Sequence, residues 1–181
     1  MPGETADAGR AAAWLSPLWP LYAAAVAARG ALYDAGWLRA ARAAAPVISI
    51  GNLTAGGSGK SPMAAWAASA MARRGLRPAV VSRGYGGSYA GRAAVVSAGD
   101  GPLLDAAAAG DEPVMLARRL PGVPVIVARR RRDGAALACA RFASRCIILD
   151  DGFQHRALAR DLDIVMIDAD DPFGNGRLLP A

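Results

Sequence analysis

The run Thr54-Ala55-Gly56-Gly57-Ser58-Gly59-Lys60-Ser61 constrains this chain more than any other stretch. Before it stands Val47-Ile48-Ser49-Ile50, a short apolar run that reads as a buried strand. After it comes an alanine-rich stretch predicted to be helical to about Arg74, where Gly75 is suited to end it. A strand, a glycine loop and a helix in that order turn backbone N–H groups inward at a helix N-terminus, which favours phosphate oxygens. Lys60 would then reach the β- and γ-phosphates of a bound nucleotide, and Ser61 would offer its hydroxyl to Mg²⁺. Thr54 stands where such loops usually carry their first glycine, while Gly59-Lys60-Ser61 is intact. The competing account is a glycine-rich turn with an incidental lysine.

The basic residues separate these two accounts. Of 21 Lys and Arg, Lys60 is the single lysine, in a chain where alanine is the commonest residue. A solvated cation tolerates drift from lysine to arginine. A lysine that resists it sits where a compact ammonium fits and a planar guanidinium does not. The net charge of +6 raises nucleic-acid binding, but no aromatic platform or recognisable DNA- or RNA-binding motif accompanies it. Cys139 and Cys146 form no CxxC pair and have no histidine cluster nearby, which excludes a disulfide scaffold and a zinc site and points to a reducing compartment. Glu4 and Asp7 precede Arg10, unlike the basic start of a secretory signal.

Further apolar runs follow at Pro78–Ser82, Ala93–Ser97, Val123–Ala128, Cys146–Leu149 and Ile164–Ile167, with helical patterns at Pro113–Leu120 and Asp133–Phe142 between them. This alternation predicts an α/β fold, a mostly parallel sheet with helices on both faces. Function in such sheets gathers at the carboxyl ends of the strands. There Asp150 and Asp151 close a strand, so Asp150 is the candidate for the metal side of a phosphate site with Asp151 beside it. An Asp-Asp-Gly turn is the plainer alternative. Asp163 and Asp168 read as strand-end and turn residues.

The N-terminal part has another texture. Ala11 to Ala28 carries no charge and holds Trp14, Leu15, Leu18, Trp19, Leu21, Tyr22 and Val26. Pro17 and Pro20 are expected to break a straight helix, so a shallow interfacial helix is favoured over a span, with Arg29, Arg39 and Arg42 near anionic lipid. The alternative is an amphipathic helix packed on protein. The expected organisation is a membrane-associated segment over 1–45 and a nucleotide-binding domain over 46–181.

Five runs in order resemble the tetraacyldisaccharide 4′-kinase (lipid A 4′-kinase) family: Gly51 to Pro62, Ser82-Arg83-Gly84-Tyr85-Gly86-Gly87, Gly110-Asp111-Glu112-Pro113, Asp150-Asp151-Gly152-Phe153-Gln154-His155 and Asp171-Pro172-Phe173-Gly174-Asn175-Gly176. The resemblance implies a P-loop fold, ATP and Mg²⁺, and phosphoryl transfer to the 4′-hydroxyl of a lipid A disaccharide 1-phosphate precursor. It implies a peripheral or monotopic place on the anionic cytoplasmic face of the bacterial inner membrane. It also implies a second domain beyond Ala181, so the chain is expected to be truncated and its catalysis alone is open.

By that match Asp111 is the candidate base that takes the sugar hydroxyl's proton. Read from the residues alone, Gly110-Asp111-Glu112-Pro113 is also a good helix cap. Arg83, Glu112, Arg131 and His155 are the candidates for substrate contact, Arg131 standing for a run of four arginines whose others read as a solvated helix start. A soluble P-loop switch or metallochaperone-type NTPase and a non-catalytic nucleotide-binding fragment remain as alternatives.

Overall fold

The apolar runs become strands of one sheet and the alanine-rich stretches become helices over it, in a computed structural model that describes residues 19–52 and 59–169. In chain order the elements are α1 (Trp19–Asp34), β1 (Val47–Asn52), α2 (Lys60–Arg73), β2 (Pro78–Ser82), β3 (Ala94–Ser97), α3 (Ala106–Ala109), α4 (Asp111–Arg119), β4 (Val125–Val127), α5 (Arg131–Phe142), β5 (Cys146–Asp150) and β6 (Leu162–Met166). The strand order is β3-β4-β2-β5-β1-β6. Every neighbouring pair is parallel except β3 with β4, where a register irregularity lies between Val95 and Ser97.

Alternate strand residues feed two cores. Ile50, Val80, Val127 and Ile148 pack with Ala64, Ala67 and Ala68 of α2 and Leu116 and Ala117 of α4. Val47, Val81, Ile126, Ile147 and Leu149 face the other way, against Ala135 and Ala138 of α5 and against Leu158. Each fully buried Ile, Leu or Val is worth about 1.5–3 kcal/mol, so the strands supply most of the hydrophobic stabilisation and the small helix residues supply close approach. Helices on both faces leave the carboxyl ends of the strands as the open edge.

Gly75, at φ +75°, follows the end of α2, and its N–H and that of Leu76 return to the carbonyls of Ala72 and Met71. Helix α4 begins two residues before the expected Pro113, which its first turn accepts because the N–H that proline lacks would be unpaired there. No regular element joins β5 to β6. That connection crosses the sheet as an irregular segment anchored by Leu158, by the bridge of Ala41 to Leu158, and by the Asp161 carboxylate accepting the Val47 N–H at 2.8 Å.

Residues Ala40–Ile167 form one compact unit, and α1 belongs to another. Pro20 is the second residue of α1, where its ring is tolerated, and the run before Trp19 lies outside the described residues. The helix also continues past Ala28 through Arg29, whose guanidinium lies 5.5 Å from the Tyr33 ring centroid. Leu21, Val26 and Leu32 on α1 are exposed, as are Trp37 and Leu38 beyond it. Among the described residues no helix is long and apolar enough to cross a membrane. Trp14 and Pro17 lie outside the described residues.

Candidate functional site

Gly59, at φ +75°, occupies the cap position of α2 and turns the chain so that Lys60 opens the helix. The Lys60 ammonium reaches back over the carboxyl end of β1, donating to Asn52 Oδ1 at 2.8 Å and pairing with Asp151 Oδ1 at 3.4 Å. Its side chain is only 17% exposed, against 59% for Asp151. Lys60 is therefore held at the strand ends rather than free in solvent. Ser61, one residue on, is buried in the first turn. Thr54, Ala55, Gly56, Gly57 and Ser58 lie outside the described residues.

Strand β5 lies beside β1, with Asp150 opposite Ile50. That pairing sets the tip of β5 beside the end of β1, where Asp151, next in the chain, meets the lysine. Asp150 is 1% exposed and neither of its carboxylate oxygens has a hydrogen-bond partner. Burial, reinforced by the negative charges of Glu112 and Asp151, pushes its carboxyl up to about 6, while Arg131 and the nearby Ser82 hydroxyl act weakly the other way. Ser82 approaches without completing a hydrogen bond. Asp151 adopts φ +54°, a left-handed conformation that aspartate tolerates better than most residues, and from that turn its carboxylate meets Lys60.

Arg131 is buried beneath this turn, not displayed with its neighbours. Its terminal nitrogens donate to the carbonyls of Ala128 at 3.3 Å, Asp150 at 3.5 Å and Asp151 at 3.3 Å, and its Nε has no partner. Desolvation, with the charge of Arg83 adding to it, lowers its guanidinium to about 10. The sequence placed Arg131 at the substrate; here its fork is taken up by the tip of β5. Arg83 is exposed at the end of β2 and close enough to act on Arg131.

The motifs dock on one another through backbone. A Cβ on Gly51 would collide with Phe153, and the Gly152 N–H donates to Ile50 O at 2.9 Å. A Cβ on Gly87 would meet Ala108 O at 2.5 Å, and one on Gly110, at φ +89°, would collide with Tyr85 O. Ser88 and Tyr89 donate to the carbonyls of Ala107 and Ala108 at 2.9 and 3.0 Å. Gly110→Ala therefore meets both a strained φ and a backbone wall, with an expected loss of at least about 2 kcal/mol in urea unfolding. Gly122→Ala, at φ +76° but in open space, should cost about 1–2 kcal/mol. Equal losses would mean that the docking contributes nothing.

Gly110 occupies the cap position of α4 and no side chain caps that helix, so the capping account of Asp111 is not realised. Asp111 and Glu112 are both exposed in the first turn. They point differently: Glu112 acts on Asp150, whereas Asp111 lines a groove along α4. His155 is half-buried in the β5–β6 connection, its N–H donating to Gly152 O at 2.9 Å. The run Asp171–Gly176 lies outside the described residues. Sequence reasoning missed Asn52 as the lysine's partner and Ser82 as Asp150's neighbour. Both end strands adjacent to β5, and only strand order could have singled them out.

Among the described residues no three His, Cys, Asp or Glu side chains are grouped to hold a metal by themselves. Mg²⁺ needs no such cage, since it binds through one or two carboxylates and completes its shell with water and phosphate oxygens. An unpartnered, desolvated Asp150 at the tip of β5 fits that demand.

Whole-chain comparison agrees with the five motifs. A family model described as tetraacyldisaccharide-1-P 4′-kinase matches residues 11–181. The chain is 59% identical over 159 residues to a tetraacyldisaccharide 4′-kinase of Anaeromyxobacter dehalogenans, covering 88% of this chain and 42% of that one. A protein of the same name from Syntrophotalea carbinolica is 48% identical over 169 residues, covering 93% and 47%. The fold matches a crystal structure of LpxK from Aquifex aeolicus in complex with ATP, with a TM-score of 0.82 and 37% identity, over 93% of this chain and 52% of that one. The chain thus spans less than half the length of those two kinases. A lone lysine and an orphaned carboxylate at adjoining strand tips, and a family match running through both, lead to one assignment: this chain belongs to the tetraacyldisaccharide-1-P 4′-kinase family.

Proposed function

We propose that this chain is the nucleotide-binding part of a kinase that moves the γ-phosphoryl of ATP to the 4′-hydroxyl of a tetraacyldisaccharide 1-phosphate, on a P-loop type of α/β fold. The observation that carries the reading is the Lys60–Asp151 ion pair at the ends of β1 and β5, with the unpartnered Asp150 the residue before Asp151. Phosphoryl transfer asks for positioning and charge neutralisation more than for covalent chemistry. The loop Thr54 to Ser61 would cradle the phosphates, with Lys60 on the β- and γ-oxygens. Ser61, Asp150 and Asp151 would hold Mg²⁺, which when bound neutralises charge on those oxygens.

Asp111 is the base in this reading. As the sugar oxygen bonds to γ-phosphorus, its proton passes to the Asp111 carboxylate, the β–γ bridging P–O bond breaks, and ADP leaves. Arg83, Glu112 and His155 face the acceptor. Arg131 fixes the strand tip that presents the acidic pair, consistent with its hydrogen bonds to three carbonyls. The exposed apolar residues of α1 and the arginine within it support shallow binding to an anionic membrane surface on the cytoplasmic side.

Asp111→Asn should leave ATP affinity within about twofold while lowering turnover about 10²–10⁴-fold. Labelled-ATP transfer to the disaccharide acceptor reads the second, and calorimetry reads the first. Unchanged turnover removes Asp111 from the chemistry. The transfer assay belongs on this chain and on one extended with the remainder that the relatives carry. Product from the longer chain alone makes this one a nucleotide-binding fragment, and product from neither counts against the kinase.

A further inference from the structure

Phe153 links the acidic turn at the tip of β5 to the strand that leads toward Lys60. The Gly152 N–H donates to Ile50 O at 2.9 Å, and the Phe153 backbone lies so close to Gly51 that a Cβ there would stand 2.9 Å from its nitrogen. Asn52, next after Gly51, accepts from the Lys60 ammonium, and Asp151, two residues before Phe153, pairs with the same ammonium. Among the described residues no backbone N–H donates to the Phe153 carbonyl. Its donor is Arg160 Nη1, at 3.1 Å. Arg160 Nε meets Asp163 Oδ1, also at 3.1 Å, and the two side chains are 17% and 33% exposed. Asp163 stands in β6 opposite Ser49 of β1. One guanidinium thus ties the turn to a strand whose register on β1 is already fixed.

We propose that Arg160 is a positioning residue for the nucleotide site: through the Phe153 carbonyl it sets the distance between Asp151 and the end of β1, where Asn52 holds Lys60. The proposal rests on the kinase reading and adds what keeps the two halves of that site in register. Phosphoryl transfer between a lysine and a carboxylate tolerates little misplacement, since a shift of about 1 Å can cost about 10²-fold. Arginine suits the task because its planar fork donates in fixed directions, here to a carbonyl and a carboxylate at once. The partial burial of both side chains strengthens these bonds relative to a fully solvated pair. A pin that only stabilises the irregular β5–β6 connection would instead lower the unfolding midpoint and leave the nucleotide affinity of the folded protein unchanged.

The test is calorimetric titration of ATP with magnesium into the chain, with thermal unfolding recorded without nucleotide. Arg160→Met should weaken ATP binding about tenfold, and Asp163→Asn, which leaves the Phe153 bond but removes its brace, about threefold. The two ends of the link should also be coupled: the loss caused by Asp151→Asn should be at least about fivefold smaller in the Arg160→Met background than in wild type. Asp161→Ala removes a pin at the far end of the same connection, where that carboxylate accepts the Val47 N–H. It should lower the midpoint and leave ATP affinity within about twofold. Wild-type affinity in folded Arg160→Met, or losses from Arg160→Met and Asp151→Asn that simply add, overturns the positioning role. If Arg160→Met does not fold, Asp163→Asn carries the same two comparisons. A wild type that binds no ATP with magnesium would instead remove the kinase reading beneath it.

Discussion

Replacing Lys60 with arginine is expected to abolish most nucleotide-dependent function, although charge is conserved. The ammonium is wedged between Asn52 Oδ1 at 2.8 Å and Asp151 Oδ1 at 3.4 Å, with the side chain 17% exposed. A guanidinium is wider and planar, and its fixed fork cannot serve the amide, the carboxylate and a phosphate oxygen from that point. Loss of one preorganised cation at a transferring phosphoryl group is worth about 10²–10³-fold in turnover. The magnesium-dependent heat of ATP titration should fall in parallel, while thermal unfolding without nucleotide should barely move. Near-normal turnover in the variant would mean that the solitary lysine of an arginine-rich chain is incidental.

Asp150→Asn is expected to make the ligand-free protein more stable and its nucleotide binding less dependent on magnesium. Asp150 is 1% exposed, and its carboxyl rises from 3.8 to about 6. Because the folded state holds this proton more tightly than the unfolded state, the contribution to stability is complete below about pH 4. It is lost as pH rises through about 6. The two-unit difference corresponds to about 3 kcal/mol at neutral pH. Asparagine carries no charge to desolvate. Its own unpaired amide offsets part of the gain, leaving about 1–2 kcal/mol, or about 2–6 °C in the midpoint at pH 7.5. The decline in stability between pH 4 and 6 should flatten in the variant. A lower midpoint at pH 7.5 would mean that the native carboxylate has partners this geometry lacks.

Local pattern carried much of this architecture. Buried β-branched runs have little choice but to become central strands, and an aspartate closing such a run falls at the carboxyl edge. Lys60, Asp150 and Asp151 were legible for that reason. Strand order was not, because the adjacency of β5 to β1 comes from non-local packing; Asn52 and Ser82 stayed unseen with it. Arg131 was indistinguishable from Arg129, Arg130 and Arg132 by residue type. Its burial follows from standing at the first turn of α5, under the strand tip. Asp111 and Glu112 are adjacent acids of one motif, and one helical step turns the first toward the groove and the second toward Asp150.

The backbone docking at Gly51, Gly87 and Gly110 has a bearing on how such a chain can vary. Alanine is the smallest possible enlargement of glycine, and a genome drifting toward alanine offers that exchange constantly. At these positions a single methyl group has no room, so the drift is halted by backbone pressed against backbone, whether or not the residue ever meets a reactant. An invariant glycine here would record a mechanical joint, and the two segments that each joint fastens would shift as one piece.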